Sequence, residues 1–513
     1  MASRRDDLNA YTFAKRRMVA AFLRSSATGS DEGAPRPLRA VLPGLVAGAL
    51  ILAGSGAYGM FRPAAPRGWD SPGTKVIVGK TSTTRYVVLT TGKGGSRRTL
   101  LHPVLNLASA RLLLTPENYG VVQVADDILD AGKPPRGPVL GIPYAPDRLP
   151  EEEDAGTAKR WAVCVQPGGG DTVQKAAFVL AARDDGLTEG AGRLTGGQVL
   201  YVRGQDGTRY LVDARGTKYR IDETAADLGH LTGALVGSAQ PQPVTDDWLA
   251  TLHDGSPVAF PRIPGDIGAP ARIEGHLSVR ENRVGTVLRT RTGEGTAHYV
   301  VLDGEVRPVS AFTAWLLINS PQTASLDLAG EARPAGLQDF VPGPEPFAGQ
   351  AAHWPAHRAV RVNTTDAGAS GRDTVCNVLR RTDASGRTTL STWAGAAYPA
   401  PVGAGGTSTY VTPGSGLLYT QVREGQTGRD GSLFLVTDTG LRYAVRANGD
   451  SDSERTGTGG TQDGPDGRPA PGEAQIRLGY GEVTPALVPI AWSEFLAKGP
   501  RLDTSSARRP QGS

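Results

Sequence analysis

An uncharged apolar stretch near the N-terminus constrains this chain more than any other feature of its sequence. Residues 40–61 contain no Asp, Glu, Lys or Arg. A helix of that length extends about 33 Å at about 1.5 Å per residue, which is enough to cross a hydrocarbon core of about 30 Å. The sequence therefore predicts a single transmembrane helix at residues 40–61, between a short N-terminal segment and a large C-terminal body.

The charge in front of this stretch predicts its orientation. Residues 1–39 carry eight Lys or Arg against four acids, so the positive-inside rule places the N-terminus in the cytoplasm and residues 62–513 outside. The alternative is a cleaved signal peptide ending near Ser55-Gly56-Ala57. Signal peptides usually have about 15–30 residues with an apolar region of about 7–15. Both segments are longer here, which favours a retained single-pass anchor in the cell membrane.

Two groups of residues at this end of the chain are candidates for contacts. Gly44 and Gly48 form a GxxxG pair that allows close approach of another helix, so we expect them to pack against a partner in the membrane. Residues 6–23 are predicted to form a basic amphipathic helix, followed by a flexible linker. Its predicted contact residues, for a cytoplasmic partner or the anionic inner leaflet, are Tyr11, Phe13, Lys15, Arg16 and Arg17.

Composition narrows the class of the extracytoplasmic body. The chain has 513 residues, with 68 Gly and 38 Pro but only 6% aromatic residues. This favours several domains of short strands and tight turns over a helical bundle. The net charge of +4 is small for this length, and no outer segment concentrates Lys or Arg with aromatic residues. Nucleic acid is therefore excluded as a partner.

The chain has two cysteines, Cys164 and Cys376, each in an apolar context typical of a strand. In an oxidising compartment an even pair is most simply a disulfide. No CxxC motif or neighbouring His indicates a zinc site. The alternative is a pair of buried free thiols. A disulfide between these positions would hold two distant strands in one central module.

A weak repeat extends through the outer body. An aromatic residue followed by two aliphatic residues begins at Tyr86, Tyr210, Tyr299 and Phe434. In three copies a glycine follows as a hairpin would require, at Gly216, Gly304 and Gly440. Three copies also end in a Pro-Val or Pro-Ile pair and a tryptophan, at Trp248, Trp315 and Trp492. The copies are irregularly spaced, which favours separate β-rich units over a solenoid or propeller.

These patterns predict a division of the chain into nine segments. They are a cytoplasmic helix and linker at 1–39, a transmembrane helix at 40–61, repeat 1 at 62–120, a central domain built from 121–190 and 346–405, repeat 2 at 191–255, repeat 3 at 256–345, repeat 4 at 406–500 and a disordered tail at 501–513. Repeat 4 contains a predicted mobile loop at 448–475, because that stretch is dominated by Gly, Asp, Ser, Thr and Pro.

The only Gly-Lys-Ser/Thr triplet, at Gly79-Lys80-Thr81, is the one candidate for a nucleotide-binding loop. A P-loop needs a glycine five positions before the triplet, where Thr74 stands, while Gly73 is one residue too early. This displacement of the glycine by one residue matters, because a P-loop directs consecutive backbone N–H groups at the phosphates. Turn formation explains Gly79 better than nucleotide binding does.

No other pattern indicates catalysis or a cofactor. His353 and His357 have the i,i+4 spacing of metal ligands, but Pro355 between them disfavours the helix that would align them. The acidic run at 151–154 follows a Pro-rich turn and is interpreted as a solvated loop. We therefore predict no catalytic residue, no bound cofactor and no metal site.

Two long motifs identify a family. Residues 3–17, SRRDDLNAYTFAKRR, resemble the start of EccB, the single-pass core component of actinobacterial type VII (ESX) secretion systems. Residues 101–111, LHPVLNLASAR, are similar to a second signature of that family. With the predicted membrane helix, the repeats and the cysteine pair, the resemblance covers essentially the whole chain.

The resemblance implies an elongated, mainly-β extracytoplasmic domain, with four β-rich repeats around a central disulfide-linked domain. It implies a membrane complex with EccC (the motor ATPase), EccD and EccE, which exports small helical proteins of the WXG type. The N-terminal helix would contact EccC and EccD, and the outer domain would self-associate. The family's repeats are similar to phage-lysin modules, which implies contact with peptidoglycan.

The resulting hypothesis is a structural subunit of the secretion complex, with its outer body over the pore or against the cell wall. Two alternatives are an ATP-hydrolysing component of the same system, since EccB proteins are sometimes labelled ATPases, and a membrane-anchored peptidoglycan-binding protein.

Overall fold

The computed structural model describes most of the chain. The described residues are 4–23, 37–61, 65–92, 97–116, 119–168, 172–222, 228–293, 295–350, 353–364, 371–402, 408–423, 431–446 and 471–511. They belong to two compact units. The first contains Met1–Trp69, Gly79–Thr81 and Gln123–Lys133, and the second contains Asp70–Val78, Ser82–Val122 and Pro134–Ser513.

The described helices and strands are mostly short. The helices are α1 (Arg4–Leu23), α2 (Pro37–Phe61), α3 (Leu107–Leu113), α4 (Asp126–Asp130), α5 (Glu152–Gly156), α6 (Leu228–Val236), α7 (Asp246–Leu249), α8 (Ala311–Ile318), α9 (Glu473–Arg477), α10 (Ile490–Ser493) and α11 (Thr504–Ala507). The strands are β1 (Lys75–Gly79), β2 (Arg85–Thr91), β3 (Arg98–Val104), β4 (Gly120–Val124), β5 (Arg160–Pro167), β6 (Val173–Leu180), β7 (Gln198–Arg203), β8 (Arg209–Asp213), β9 (Thr217–Arg220), β10 (Gln242–Pro243), β11 (His253–Asp254), β12 (Val287–Thr292), β13 (Gly295–Leu302), β14 (Glu305–Val309), β15 (Arg333–Pro334), β16 (Val360–Arg361), β17 (Thr374–Thr382), β18 (Thr388–Gly395), β19 (Thr409–Val411), β20 (Leu417–Val422), β21 (Ser432–Val436), β22 (Leu441–Ala444), β23 (Ala486–Pro489) and β24 (Ala497–Lys498).

The first unit contains the two long helices. Helix α1 covers the helix predicted at residues 6–23, and α2 covers the uncharged stretch at 40–61. A membrane span needs length and apolarity together, and none of the helices in the described part of the chain combines the two. That result does not support the crossing predicted at 40–61.

Four small sheets, which we call the first to fourth peripheral sheets, share a simple topology. Each contains three sequential strands in an antiparallel meander: β1-β2-β3, β7-β8-β9, β12-β13-β14 and β20-β21-β22. In the last three sheets a later strand then pairs in parallel with the first strand of the meander, as β10 does with β7, β15 with β12 and β23 with β20.

The sequence signals of the predicted repeat occupy matching places in these sheets. Tyr86, Tyr210, Tyr299 and Phe434 all lie on the middle strand of a meander. The hairpin glycines that follow, Gly216, Gly304 and Gly440, have φ values of +72°, +76° and +78°. Only glycine adopts this left-handed conformation without steric cost, which explains the glycine in each turn. The nine segment boundaries, including the four repeats, stay predictions.

A fifth sheet, which we call the central sheet, is assembled from two distant parts of the chain. Its order is β18-β17-β5-β6-β19, so β5 and β6 from one part lie between β17 and β19 from the other, and β18 extends the sheet beyond β17. Side chains alternate along β5, with Trp161 and Val163 in one buried cluster and Ala162 and Cys164 in another. Both faces of the sheet are therefore buried, as its nearly continuous apolar strands require.

One face of the central sheet packs against both the second and the fourth peripheral sheets. Trp161 and Val163 share a buried cluster with Leu200 of the second sheet and Tyr419 of the fourth. The outer faces of these two peripheral sheets are covered as well. Helix α8 packs on the second sheet, and α3 lies in the same buried cluster as the outer face of the fourth. Helix α3 follows the first meander and α8 follows the third, so the two pairs of sheets are built alike.

The C-terminal tail is ordered, in contrast to the disorder predicted for 501–513. Leu502 and Ala507 are fully buried, and α11 packs against α3. The backbone N–H of Gln511 donates to the carbonyl of Val139 at 2.9 Å. The prediction was wrong for 502–511 because two apolar side chains are enough to dock this otherwise polar segment.

The mobile loop predicted at 448–475 mostly lies outside the described residues. Its last residues are described and belong to an ordered element, since α9 begins at Glu473 and the side chains of Ala474 and Gln475 are buried. That end of the predicted loop was therefore placed too far along the chain.

Candidate functional site: the disulfide-linked central sheet

The two cysteines face each other across the middle of the central sheet. Cys164 on β5 and Cys376 on β17 are directly opposed, with their Cα atoms 4.0 Å apart, and they form a disulfide. Both are completely buried in an apolar cluster with Phe178 and Trp393. The bridge closes a sequence separation of 212 residues, so it covalently joins the two parts of the chain that build the sheet.

An ion-pair cluster joins the same two parts of the chain at another place. Glu189 Oε1 accepts from Arg160 Nη1 on β5 at 2.8 Å and from Arg380 Nη1 on β17 at 2.7 Å. Its other oxygen accepts from Arg193 at 3.0 Å. The hydrogen bond from Arg380 is the main reason that the pKa of Glu189 falls from its ordinary 4.5 to about 2, and the nearby positive charges reinforce it.

This shift predicts a pH dependence of stability. A carboxyl group whose pKa is depressed in the folded state stabilises it fully above its unfolded pKa, and this contribution disappears as the pH falls through the folded pKa. We therefore expect Glu189→Gln to lower the urea midpoint at neutral pH, and the difference from the unsubstituted chain to shrink as the pH falls from about 4.5 to about 2. Urea titrations across that range test it. A pH-independent difference would contradict the account.

Two of the three tryptophans that end the predicted repeats, Trp248 and Trp492, attach peripheral sheets to the central sheet. Trp248, on α7, is fully buried and its Nε1 donates to the carbonyl of Val163 on β5 at 3.0 Å. Trp492, on α10, occupies the same buried cluster, where Trp161 also contacts Tyr419 edge to face with ring centroids 5.6 Å apart. Trp315, on α8, differs. It is only half-buried, and its Nε1 donates to the carbonyl of Ala234 on α6.

The acidic run at 151–154, interpreted from sequence as a solvated loop, is largely helical and supports a buried cation. Asp154 lies in α5 and accepts from Lys159 Nζ at 2.8 Å, and the Lys159 side chain is only 1% exposed. The other Asp154 oxygen accepts from the backbone N–H of Gly416 at 2.8 Å. Burial would raise the pKa of Asp154, but the hydrogen bonds from Lys159 and Gly416 outweigh it and lower the pKa.

The second sequence motif, residues 101–111, forms the end of β3 and the start of α3. Asn106 caps α3 by accepting from the Ser109 backbone N–H at 3.0 Å, and its amide donates to Ile142 at 2.8 Å. Arg111 Nη1 donates to the carbonyl of Leu478, directly after α9, at 2.6 Å. The motif thus joins distant segments through hydrogen bonds, and Asn106 and Arg111 have structural partners within the fold.

Residues Gly79-Lys80-Thr81 do not have the arrangement of a phosphate-binding loop. Gly79 is the last residue of β1, and Lys80 and Thr81 lie in the turn that leads into β2, whereas a P-loop leads into a helix. The backbone N–H of Thr81 donates to the Asp126 carboxylate at 2.8 Å. A carboxylate therefore occupies a donor that a P-loop would present to a phosphate.

Neither the candidate metal-ligand pair nor the predicted N-terminal contact residues form a site in the described structure. His353 and His357 lie in irregular loop backbone, and no group of three possible ligands is close enough to hold a metal within the part of the chain described. The five contact residues predicted on α1 are exposed: Tyr11, Phe13, Lys15, Arg16 and Arg17. On α2, apart from the chain neighbours and the helix's own backbone, no described atom lies within 4 Å of the position that a Cβ would take at Gly44 or Gly48.

Comparison with known proteins assigns this arrangement to a family. The family described as "Type VII secretion system ESX-1, transport TM domain B", EccB, has a model that matches residues 1–512. The chain belongs to the EccB family. The resemblance inferred from residues 3–17 and 101–111 is thereby confirmed.

Curated relatives of this EccB-family chain carry related names. It is 30% identical over 445 residues to the ESX-3 secretion system ATPase EccB3 of Mycolicibacterium smegmatis, which covers 80% of this chain and 76% of that relative. It is 30% identical over 313 residues to the ESX-1 secretion system ATPase EccB1 of Mycobacterium tuberculosis, covering 60% and 59%.

Solved structures share its fold. A chain of an intact ESX-5 inner membrane complex matches with a TM-score of 0.56 at 22% identity, covering 100% of this chain and 96% of that one. An EccB3 dimer from the ESX-3 core complex matches with a TM-score of 0.53 at 25% identity, covering 85% and 99%. The mainly-β architecture of this EccB-family chain is therefore that of known ESX subunits.

Proposed function

We propose that this chain is a structural, non-enzymatic subunit of a type VII secretion complex in the cell membrane. The match of the EccB family across residues 1–512 carries the proposal. The arrangement of the partly buried ion pairs supports it, because Glu189, Asp154 and their cationic partners hold segments of the fold together. Its mechanism is mechanical: a covalently closed central sheet holds the peripheral sheets in place beside the export pathway.

We further propose that α2 anchors the chain in the membrane with the N-terminus in the cytoplasm. The uncharged stretch at 40–61, the basic residues before it and the family's description as a transport TM domain support this. Gly44 and Gly48 would pack against a neighbouring membrane helix. The exposed residues Tyr11 and Phe13 on α1, with the basic residues beside them, would contact EccC, EccD or the inner leaflet.

The outer body would then self-associate and support export of WXG-type proteins by a complex that also contains EccE. Two solved structures support this assembly. The related EccB3 forms a dimer, and a related chain belongs to an intact ESX-5 inner membrane complex. Contact with peptidoglycan rests on the family resemblance, and sedimentation of the chain with purified cell-wall sacculi would test it.

The relatives' name raises the alternative of ATP hydrolysis, which a substitution at Lys80 tests. We expect the purified full-length chain to show no ATP turnover above a buffer blank, and Lys80→Ala to change nothing, because Thr81 N–H is bonded to Asp126 and no helix follows the triplet. Phosphate release under matched conditions measures it. Turnover that disappears in Lys80→Ala but persists in the neighbouring control Lys75→Ala would establish the enzymatic alternative.

A further inference from the structure

The second and fourth peripheral sheets end in two-strand ribbons that can be compared position by position. In the second sheet, β9 pairs in parallel with β11, and Lys218 lies opposite Asp254. In the fourth sheet, β22 pairs in parallel with β24, and Arg442 lies opposite Lys498. We call residues 217–222 and 253–258 the second-sheet ribbon, and residues 441–446 and 497–502 the fourth-sheet ribbon.

Hydrogen bonds outside the strands confirm this correspondence. The N–H of Gly255 donates to the Lys218 carbonyl at 2.8 Å, and the N–H of Gly499 donates to the Arg442 carbonyl at 2.9 Å. Isolated bridges continue both ribbons at the same spacing, from Ile221 to Val258 and from Val445 to Leu502. Asp222 therefore corresponds to Arg446, and Asp254 corresponds to Lys498.

The two ribbons differ in charge. The second-sheet ribbon is balanced, with two cations and two acids: Lys218, Arg220, Asp222 and Asp254. The fourth-sheet ribbon has four cations and no acid: Arg442, Arg446, Lys498 and Arg501. Both positions that are acidic in the second-sheet ribbon are basic in the fourth-sheet ribbon.

This difference leaves a buried cation without the partner that its counterpart has. Lys218 Nζ lies 3.0 Å from the Asp254 carboxylate and donates to the carbonyl of Leu249 at 3.1 Å. Arg442 is only 3% exposed and makes the corresponding bond, from Nη1 to Ser493 Oγ at 2.7 Å. Among the described residues, however, no carboxylate forms an ion pair with Arg442. Its guanidinium lies over the Phe434 ring at 5.3 Å from the centroid, and its buried Nε has no hydrogen-bond partner there.

The remaining cations of the fourth-sheet ribbon are open to solvent. Arg446, Lys498 and Arg501 are exposed, and β24 is the outermost strand of its sheet. Glu494 is close in sequence, but it lies after α10 and forms no ion pair with these residues in the described structure. Within the part of the chain that the structure describes, no acid forms an ion pair with this cationic edge, so its positive charge attracts carboxylates.

We infer that the fourth-sheet ribbon is a docking surface for an acidic segment of another protein. The segment's carboxylates would lie over Lys498, Arg446 and Arg501, and would supply the negative charge that Asp222 and Asp254 supply in the second-sheet ribbon. The occupant is a peptide or surface rich in Asp and Glu, since charge complementarity is what the ribbon offers. This inference does not depend on the secretion function.

The test is binding of a fluorescein-labelled deca-glutamate peptide to the full-length chain in mild detergent at low salt. The double variant Lys498→Asp with Arg446→Asp is expected to bind at least about tenfold more weakly. It should fold, because the acid introduced opposite Arg442 copies the pairing of Lys218 with Asp254. The matched control, Arg97→Glu with Arg98→Glu, changes net charge equally on the exposed first-sheet hairpin and should retain binding.

Each other outcome overturns the inference. Equal loss in the Arg97/Arg98 control would mean that net charge alone governs binding. Binding of polyphosphate but not of the peptide, abolished by the double variant, would make the ligand a phosphate polymer. Peptide binding only after Asp450, Asp452 and Glu454 are replaced by their amides would mean that this chain fills its own ribbon.

Discussion

Replacing both Cys164 and Cys376 by alanine is expected to lower the free energy of unfolding of the C-terminal body by about 5 kcal/mol. The bridge spans 212 residues, and on the loop-entropy account a cross-link of that span restricts the unfolded chain by about this amount. The effect is large because the central sheet is assembled from two distant parts of the chain, which are free to separate in the unfolded state without the bridge.

Denaturant unfolding monitored by tryptophan fluorescence measures this loss. The two single variants, Cys164→Ala and Cys376→Ala, serve as controls because each breaks the same bond, so each should lose nearly as much as the double variant. A loss below about 1 kcal/mol in the double variant would contradict the account. So would two thiols that react with an alkylating reagent in the unreduced native protein.

Trp248→Ala is expected to destabilise the C-terminal body by about 3–5 kcal/mol. Trp248 is fully buried between the second peripheral sheet and the central sheet, so its removal leaves a large cavity. It also leaves the buried carbonyl of Val163 without the donor that Trp248 Nε1 provides. Trp492→Ala should have a similar effect, because that residue occupies the same cluster from the fourth sheet.

Two comparisons separate packing from hydrogen bonding in this prediction. Trp248→Phe keeps much of the apolar volume but loses the donor, so it should cost about 1–2 kcal/mol. Trp315→Ala should cost less than Trp248→Ala, because Trp315 is only half-buried. Equal losses for Trp248→Ala and Trp315→Ala would show that Trp248 has no special part in joining the sheets.

Local signals predicted the strands and the turns of this fold. The aromatic residues at Tyr86, Tyr210, Tyr299 and Phe434 predict strands because alternation is a short-range property, and the turn glycines predict hairpins for the same reason. The disulfide followed from the expected compartment and an even number of cysteines. The structure adds that the two strands are direct neighbours, which no local pattern contains.

Contacts between distant segments were not predictable in this way. Glu189 meets Arg160 and Arg380 only because the sheet brings three separate segments together, and each residue alone is an ordinary surface charge in sequence. The pairing of Asp154 with Lys159 was missed because the acidic run has the composition of a solvated loop. The tail at 502–511 was missed because a polar composition conceals its two buried apolar side chains.

A structural subunit of a membrane complex should co-purify with the other subunits of that complex. The full-length chain carrying a C-terminal affinity tag would be extracted from its native membranes in mild detergent and resolved by native electrophoresis and mass spectrometry. We expect the chain to stay in the membrane after carbonate washing and to migrate in a large assembly with multi-pass subunits and the motor ATPase of a type VII system. Migration of the chain alone, with no membrane partners at any detergent concentration that keeps it soluble, would contradict the account.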